Sequence, residues 1–333
     1  MHVSPLVWAI TLVAMIVIFA VDLIIVGRRP HEPSMRETAI WIGVYVALAA
    51  VFGVVLLVAY GPRYGGEFFA GWLTEYSLSV DNLFVFVIIM ARFAVPRALQ
   101  QKVLLIGVML ALLMRGAVIA VGAAAVDRFV WVFYLFGAFL VYTAIVLVRP
   151  HHGGDEFREN ALIRWGRRIL PLSAEYDGAR LTTYAEPGGR VGDGPGRRTF
   201  TPMFIVMIAI GTTDLIFALD SIPAIFGLTA QPYIVFTANV FALMGLRQLY
   251  FLLGGLLGRL VYLSYGLAAV LGFIGVKLVL DALHGNDVSV INGGEPISWA
   301  PDIPIWLSLT VIVSVLGVAT IASLARSSRA GSS

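Results

Sequence analysis

Glu75-Tyr-Ser-Leu-Ser-Val-Asp81-Asn-Leu-Phe84 and Asp214-Leu-Ile-Phe-Ala-Leu-Asp220-Ser-Ile-Pro223 are two stretches of one 333-residue chain that read alike. Each sets an acid, five residues, then Asp followed by a small polar side chain. Asp214 follows Glu75, and Asp220 follows Asp81, by the same 139 positions. Both stretches lie inside apolar runs long enough for a bilayer, whose hydrocarbon core of about 30 Å needs roughly 20 apolar residues in a helix. A charge at the centre of such a helix costs on the order of 2.5–3.5 kcal/mol on insertion scales. Four acids in two matched pairs at that depth are therefore candidates for function.

The rest of the chain has the same character. It is 59% hydrophobic and 13% charged, against about 25% charged in an ordinary soluble domain, and its mean hydropathy is +0.89. These values exclude a soluble enzyme, a nucleic-acid reader and a disordered protein. The pI of about 9.2 reflects an excess of only +3, which basic residues on the cytoplasmic side of a membrane protein explain. No cysteine is present, so disulfides, thiolate metal sites and cysteine nucleophiles are ruled out.

Nine segments have the length of a span: near Pro5–Val26, Ala39–Tyr60, Phe68–Met90, Val103–Val126, Phe129–Val148, Pro202–Leu228, Tyr233–Leu253, Leu260–Leu283 and Ile303–Leu324. The first lacks a basic leader region and is followed by Arg28-Arg29, so it reads as a retained span. With the N-terminus outside, 18 Lys and Arg fall in cytoplasmic segments, against Arg63 and Arg128 outside. That asymmetry predicts N-out, C-in.

The fold class expected is an all-α polytopic membrane helix bundle. Residues 1–62 supply two peripheral helices, 63–149 a first repeat of spans three to five, and 202–284 a second of spans six to eight. Residues 285–333 supply an outer loop, the last helix and a cytoplasmic tail. Span three runs inward and span six outward, so the repeats are inverted, a common transporter plan with its site near the midplane. Arg115 in span four and Arg247 in span seven follow the two motifs at similar depth.

Residues 150–201 form the one long polar segment, a cytoplasmic loop with His151-His152 and a Gly-rich run from Gly188 to Gly196. That run has neither the flanking strand nor the Gly-Lys-Ser/Thr ending of a phosphate loop. The mixed apolar and basic stretch from Ala161 to Leu170 reads first as an ordinary positive-inside loop, and second as a short interfacial helix.

Asp22, Glu75, Asp81, Asp214 and Asp220 stand against three intramembrane bases, Arg115, Arg247 and Lys277. Mutual pairing absorbs at most three acids. Within one motif the acids rise about 9 Å and point some 120° apart on an ideal helix, so the natural ion site takes one acid from each motif. Pro223 cannot donate to the carbonyl of Leu219, which predicts a broken helix beside Asp220. None of the five histidines, His2, His31, His151, His152 and His284, falls inside a span. Carboxylate, amide and carbonyl oxygens suit Mg²⁺, Ca²⁺ and Mn²⁺, with Asn82 and Ser221 as auxiliary oxygens. Met90, Met203 and Met207 read as apolar filler. Carboxylates can also trade H⁺ for metal, which makes protons the candidate counter-ion.

At these residues the chain resembles the TerC family of membrane proteins, named from tellurite resistance and including manganese exporters. The similarity is carried by Ser77 to Phe86, by Thr212 to Phe226, by Asn239 through Gly245-Leu-Arg247, by Tyr265 to Ala269 and by Phe273 to Lys277. The start Ala20-Val-Asp22-Leu, Arg28 to His31, and Leu170 to Tyr176 also match, so coverage runs from about residue 5 to 325. The resemblance implies Mn²⁺ export across the cytoplasmic membrane, with no resident cofactor and Mn²⁺ as the transported ion. Glu75, Asp81, Asp214 and Asp220 would hold the metal or protons, and Asn82 and Ser221 would assist. Asp22, Arg115, Arg247, Lys277 and Asn239 would serve charge balance or coupling. Many members carry Glu just before Thr-Thr-Asp, where this chain has Gly211; that departure bears on coupling and ion preference.

Two other readings stand beside the exporter. One is an assembly or stress-resistance factor acting through membrane protein partners, for which the 150–201 loop would matter most. The other is an exporter of an organic solute whose carboxylate meets the arginines. An enzyme is not expected, because no span carries His or Cys and no nucleophile–base pair emerges. The expected partners are a divalent ion, protons and the lipid bilayer, and no nucleic acid.

Overall fold

Ser34 and Pro62 set where the second and third helices begin. The Ser34 hydroxyl accepts from the Glu37 amide at 3.2 Å, satisfying one of the donors a helix start leaves open. Pro62 occupies the first turn of the next helix, where its missing N–H costs nothing. Gly61 joins the two at φ 102°, a backbone conformation that glycine adopts readily. Pro202 and Pro232 open two later helices in the same way.

A computed structural model describes residues 3–28, 34–129, 131–148, 197–253, 262–286, 291–297 and 299–330, with short pieces at 173, 176–178, 180–185 and 288. The helices are α1 Pro5–Arg28, α2 Met35–Tyr60, α3 Pro62–Arg92, α4 Arg97–Arg128, α5 Trp131–Val148, α6 Pro202–Phe226, α7 Pro232–Leu243, α8 Leu246–Leu253, α9 Leu263–His284 and α10 Ile305–Ala330. Among the described residues, eight segments are long and apolar enough to cross a membrane, α7 and α8 counting as one through Pro232–Leu252. The first helix, α1, is apolar over Pro5–Val21. Apolar side chains such as Val44, Val51, Val58, Leu113, Val121, Val318 and Ile321 face outward, as lipid-facing surfaces do.

The expected break beside Asp220 does not occur. Helix α6 runs unbroken through Pro223 to Phe226, and α3 is one helix of 31 residues. Pro223 lies in the last turn, so it removes one bond near a helix end. Ala218, Ile222, Ala224 and Ile225 hold that turn in the core. The break falls in the seventh span instead: α7 stops at Leu243, Met244 is extended, and Gly245 takes φ 84° before α8 resumes.

Two short strands, unforeseen in the polar loop, precede α6. Thr182–Ala185 pairs antiparallel with Arg197–Phe200. Nearby, Ser173 N donates to Phe200 O at 2.8 Å, and the Tyr176 hydroxyl donates to Phe93 O at 2.6 Å. Burial pushes the Tyr176 phenol up, which keeps it a donor. The loop's end is thereby tied to the end of α3. His151, His152, Ala161 to Leu170 and Gly188 to Gly196 lie outside the described residues.

The bundle core has α3 against α7 and α6 against α4, with α3 meeting α6 and α5 laid along α9. It divides into apolar clusters stacked along the helix axes. One joins Val80 to Met90 of α3, Val103 to Val108 of α4, Met203 to Ile210 of α6, and Leu246 to Tyr250 of α8. The second of the stacked pair joins Phe68 and Trp72 of α3, Ile119 of α4, Ala218 to Phe226 of α6, and most of α7, and a third cluster lies along α5 and α9. Met90, Met203 and Met207 are apolar filler in the first cluster. Glu75, Arg115 and Asp214 fall between the two on α3, α4 and α6, so a charged layer separates two apolar ones near mid-length.

Candidate functional site

Glu75 on α3 and Asp214 on α6 reach the same guanidinium. Arg115 Nη1 donates to Glu75 Oε2 at 2.8 Å, and Arg115 Nη2 stands 3.7 Å from Asp214 Oδ1. The three side chains are at most 2% exposed. Ser221 of α6 and Asn239 of α7 flank the Glu75 carboxylate. Four helices thus converge on one acid, and the residues come from both of the segments that the sequence reading takes as repeats.

The cluster is underpaired. Glu75 Oε1, Asp214 Oδ2, Arg115 Nε and Nη2, and both amide atoms of Asn239 have no hydrogen-bond partner among the described residues. Buried polar atoms are nearly always paired, and leaving a charged one unpaired is costly. Two carboxylates against one guanidinium also leave a formal charge of −1. An additional cation answers the charge and the unpaired oxygens, while the Arg115 and Asn239 donors call for an acceptor of their own. Glu75 Oε1, Asp214 Oδ2, Asn239 Oδ1 and Ser221 Oγ are the oxygens that these residues offer, and oxygen is the donor type that suits a hard divalent ion. No group of three or more His, Cys, Asp or Glu side chains converges among the described residues, so this donor set relies on neutral oxygens beside two acids.

Other expected positions are distributed differently. Asn82 is buried seven residues beyond Glu75, on nearly the same face of α3; Ser221 stands in the same relation to Asp214. The side chains of Asp22, Asp81 and Asp220 lie outside the described residues. Arg247 lines a crevice with Ile18, Tyr45, Val108, Gly245 and Gln248, beyond the helix break. Lys277 does not join the central cluster: its Nζ pairs with Asp281 Oδ2 at 2.6 Å. Both border a cavity of about 400 Å³ with Arg63, Glu67 and Asp302. Gly211 lies against Leu110, whose Cδ2 would stand 2.6 Å from an added Cβ. It serves the α4–α6 contact within a continuous helix.

Sequence reasoning missed Asp281 and Glu67. Asp281 falls within the expected eighth span, and its signal was the four-residue spacing from Lys277, one helical turn. Glu67 sits one residue before the expected third span, which hid it among loop residues. Its carboxylate accepts from Arg63 Nε at 2.9 Å and from the buried Thr229 hydroxyl.

The family model for the integral membrane protein TerC family matches residues 60–331. The chain belongs to the TerC family. An uncharacterized membrane protein of Mycobacterium tuberculosis is 46% identical to this TerC protein over 327 residues, 97% of this chain and 80% of the relative. An uncharacterized membrane protein of Myxococcus xanthus is 37% identical over 330 residues, covering 99% and 95%. Alx of Escherichia coli K12, described as a proposed membrane-bound redox modulator, is 36% identical over 323 residues, covering 94% and 92%. No solved structure gives a significant match to this TerC protein.

Proposed function

We propose that this TerC protein is a secondary transporter that exports Mn²⁺, or a similar hard divalent cation, across the cytoplasmic membrane. Protons are the counter-ion, and the protein performs no enzymatic reaction. One observation carries the reading: Glu75 and Asp214, from different repeats, meet at mid-length around Arg115, each with one oxygen unpaired among the described residues. An organic anion fits less well, because Arg115 is already engaged by both acids.

The architecture supports the same reading. Exchanging α3, α4 and α5 for α6, α7 and α9 turns the α3–α7 contact into the α6–α4 contact and leaves α3–α6 and α5–α9 unchanged. Two inverted halves within nine spans, N-out and C-in, would pack in this way. Each half contributes one acid, so relative movement of the halves changes the ion's access.

The test is total cell manganese by elemental mass spectrometry. Cells lacking their own manganese exporter are grown in excess Mn²⁺ with wild type, Glu75→Gln, Asp214→Asn or empty vector. Low manganese with wild type alone, at equal membrane abundance, is the expected result. Equal manganese in all four rejects the exporter and turns attention to the assembly-factor reading.

A further inference from the structure

We propose that Arg115 is a tethered counter-ion: its guanidinium takes the substrate cation's place between Glu75 and Asp214 when the carrier is empty. The inference rests on the transporter reading and adds how the unloaded protein returns. A carrier working in net export must reorient without its ion. Two bare carboxylates in a water-excluded layer oppose that step, since an unpaired buried charge is heavily penalised. Arg115 offsets one of the two charges from within the protein, and the proton taken up in exchange for the metal offsets the other.

The geometry fits an occupant that can be displaced. Of the five donors a guanidinium carries, only Nη1 makes a hydrogen bond to an acid among the described residues, at 2.8 Å. Nη2 faces Asp214 at 3.7 Å, and Nη2 and Nε have no hydrogen-bond partner among the described residues. Structural Arg–carboxylate pairs frequently use the planar fork on one carboxylate through two parallel bonds. Here the fork is divided between two acids on different helices, and only one arm is closed. Metal and guanidinium would compete for the same carboxylates, so binding the ion requires Arg115 to withdraw. Arg115 therefore acts as a positioning and coupling residue.

The inference separates two transport modes. Metal-for-metal exchange never needs the empty carrier to reorient, whereas net efflux does so in every cycle. Purified protein in liposomes, with membrane potential clamped by K⁺ and valinomycin and equal pH on both sides, is loaded with radioactive Mn²⁺. Release is followed into buffer with or without external unlabelled Mn²⁺. For Arg115→Gln, net efflux should fall about tenfold or more, from the uncompensated buried charge, while exchange continues. Arg115→Lys, which keeps the charge without the fork, should recover much of the net efflux. The retained exchange also shows that Arg115→Gln is folded. Parallel loss of both modes, unrescued by lysine, overturns the inference and leaves Arg115 a structural residue. Unchanged net efflux overturns it too. Wild type inactive in both modes overturns the transporter reading itself, and this inference with it.

Discussion

Glu67 precedes Glu75 by eight residues on α3, about 12 Å along the axis. Its two partners differ in value. The Arg63 side chain is 79% exposed, so that ion pair contributes little. The buried hydroxyl of Thr229, after the end of α6, is the stronger tie because both groups of this bond are buried, and losing it leaves the carboxylate short of a partner. Thr229→Val should therefore destabilise the protein by about 1–3 kcal/mol, seen as a lower thermal midpoint in detergent, while Thr229→Ser should stay near wild type. Equal midpoints for all three would show that Glu67 draws nothing from that hydroxyl. At this scale the central site was largely legible. Glu75, Arg115 and Asp214 are charges inside apolar runs, and desolvation makes such residues conspicuous. Glu67 and Thr229 were not, because each lies at a helix end where a polar residue needs no special explanation.

Helices α5 and α9 meet through glycine. A Cβ on Gly137 would stand 2.8 Å from Gly275 O, and one on Gly275 would stand 2.9 Å from Gly137 O and 3.0 Å from Val141 N. Methyls of Val279 and Val141 crowd the same positions at 2.7 and 2.9 Å, but the backbone obstacles are ones that side-chain rotation cannot move. Lipid supplies no hydrophobic force between helices, so close approach through small residues holds such pairs by van der Waals contact. Gly275→Val should force α9 away from α5 and cost about 1–3 kcal/mol, the usual scale of overpacking. Gly317→Val on α10, where an added Cβ meets nothing within 4 Å, should leave the thermal midpoint nearly unchanged. Similar loss in both would mean that the α5–α9 contact has no special role. Element positions were mostly readable from hydropathy, since nearly every described helix lies within or around an expected span. The break was misplaced. Proline is a visible signal at 223, but near a helix end its missing bond matters little. The Met244-Gly245 break depends on a positive φ, and an isolated Gly in an apolar run does not announce that it will adopt one.

Orientation is a property of the whole chain, and it decides whether the proposed transport is export. Its sequence signal is the excess of Lys and Arg on one side. Under that signal Arg92, at the end of α3, faces the cytoplasm, and Asp302, between α9 and α10, faces outside. Both residues are exposed, and the chain contains no cysteine, so a single introduced thiol reports its own side without background. In intact cells Asp302→Cys should react with a membrane-impermeant maleimide. Arg92→Cys should react only after permeabilisation. The layered core gives this result mechanical meaning. Glu75, Arg115 and Asp214 lie between two apolar clusters, and the cavity bordered by Glu67, Lys277, Asp281 and Asp302 lies toward the Asp302 end. With Asp302 outside, that cavity is the vestibule through which an exported ion would leave, and its three acids against two bases give it the sign a departing cation meets favourably. The opposite labelling pattern would turn the molecule over. The same cavity would then open to the cytoplasm as an entry, and the proposed inverted repeat alone would give no preference between export and uptake.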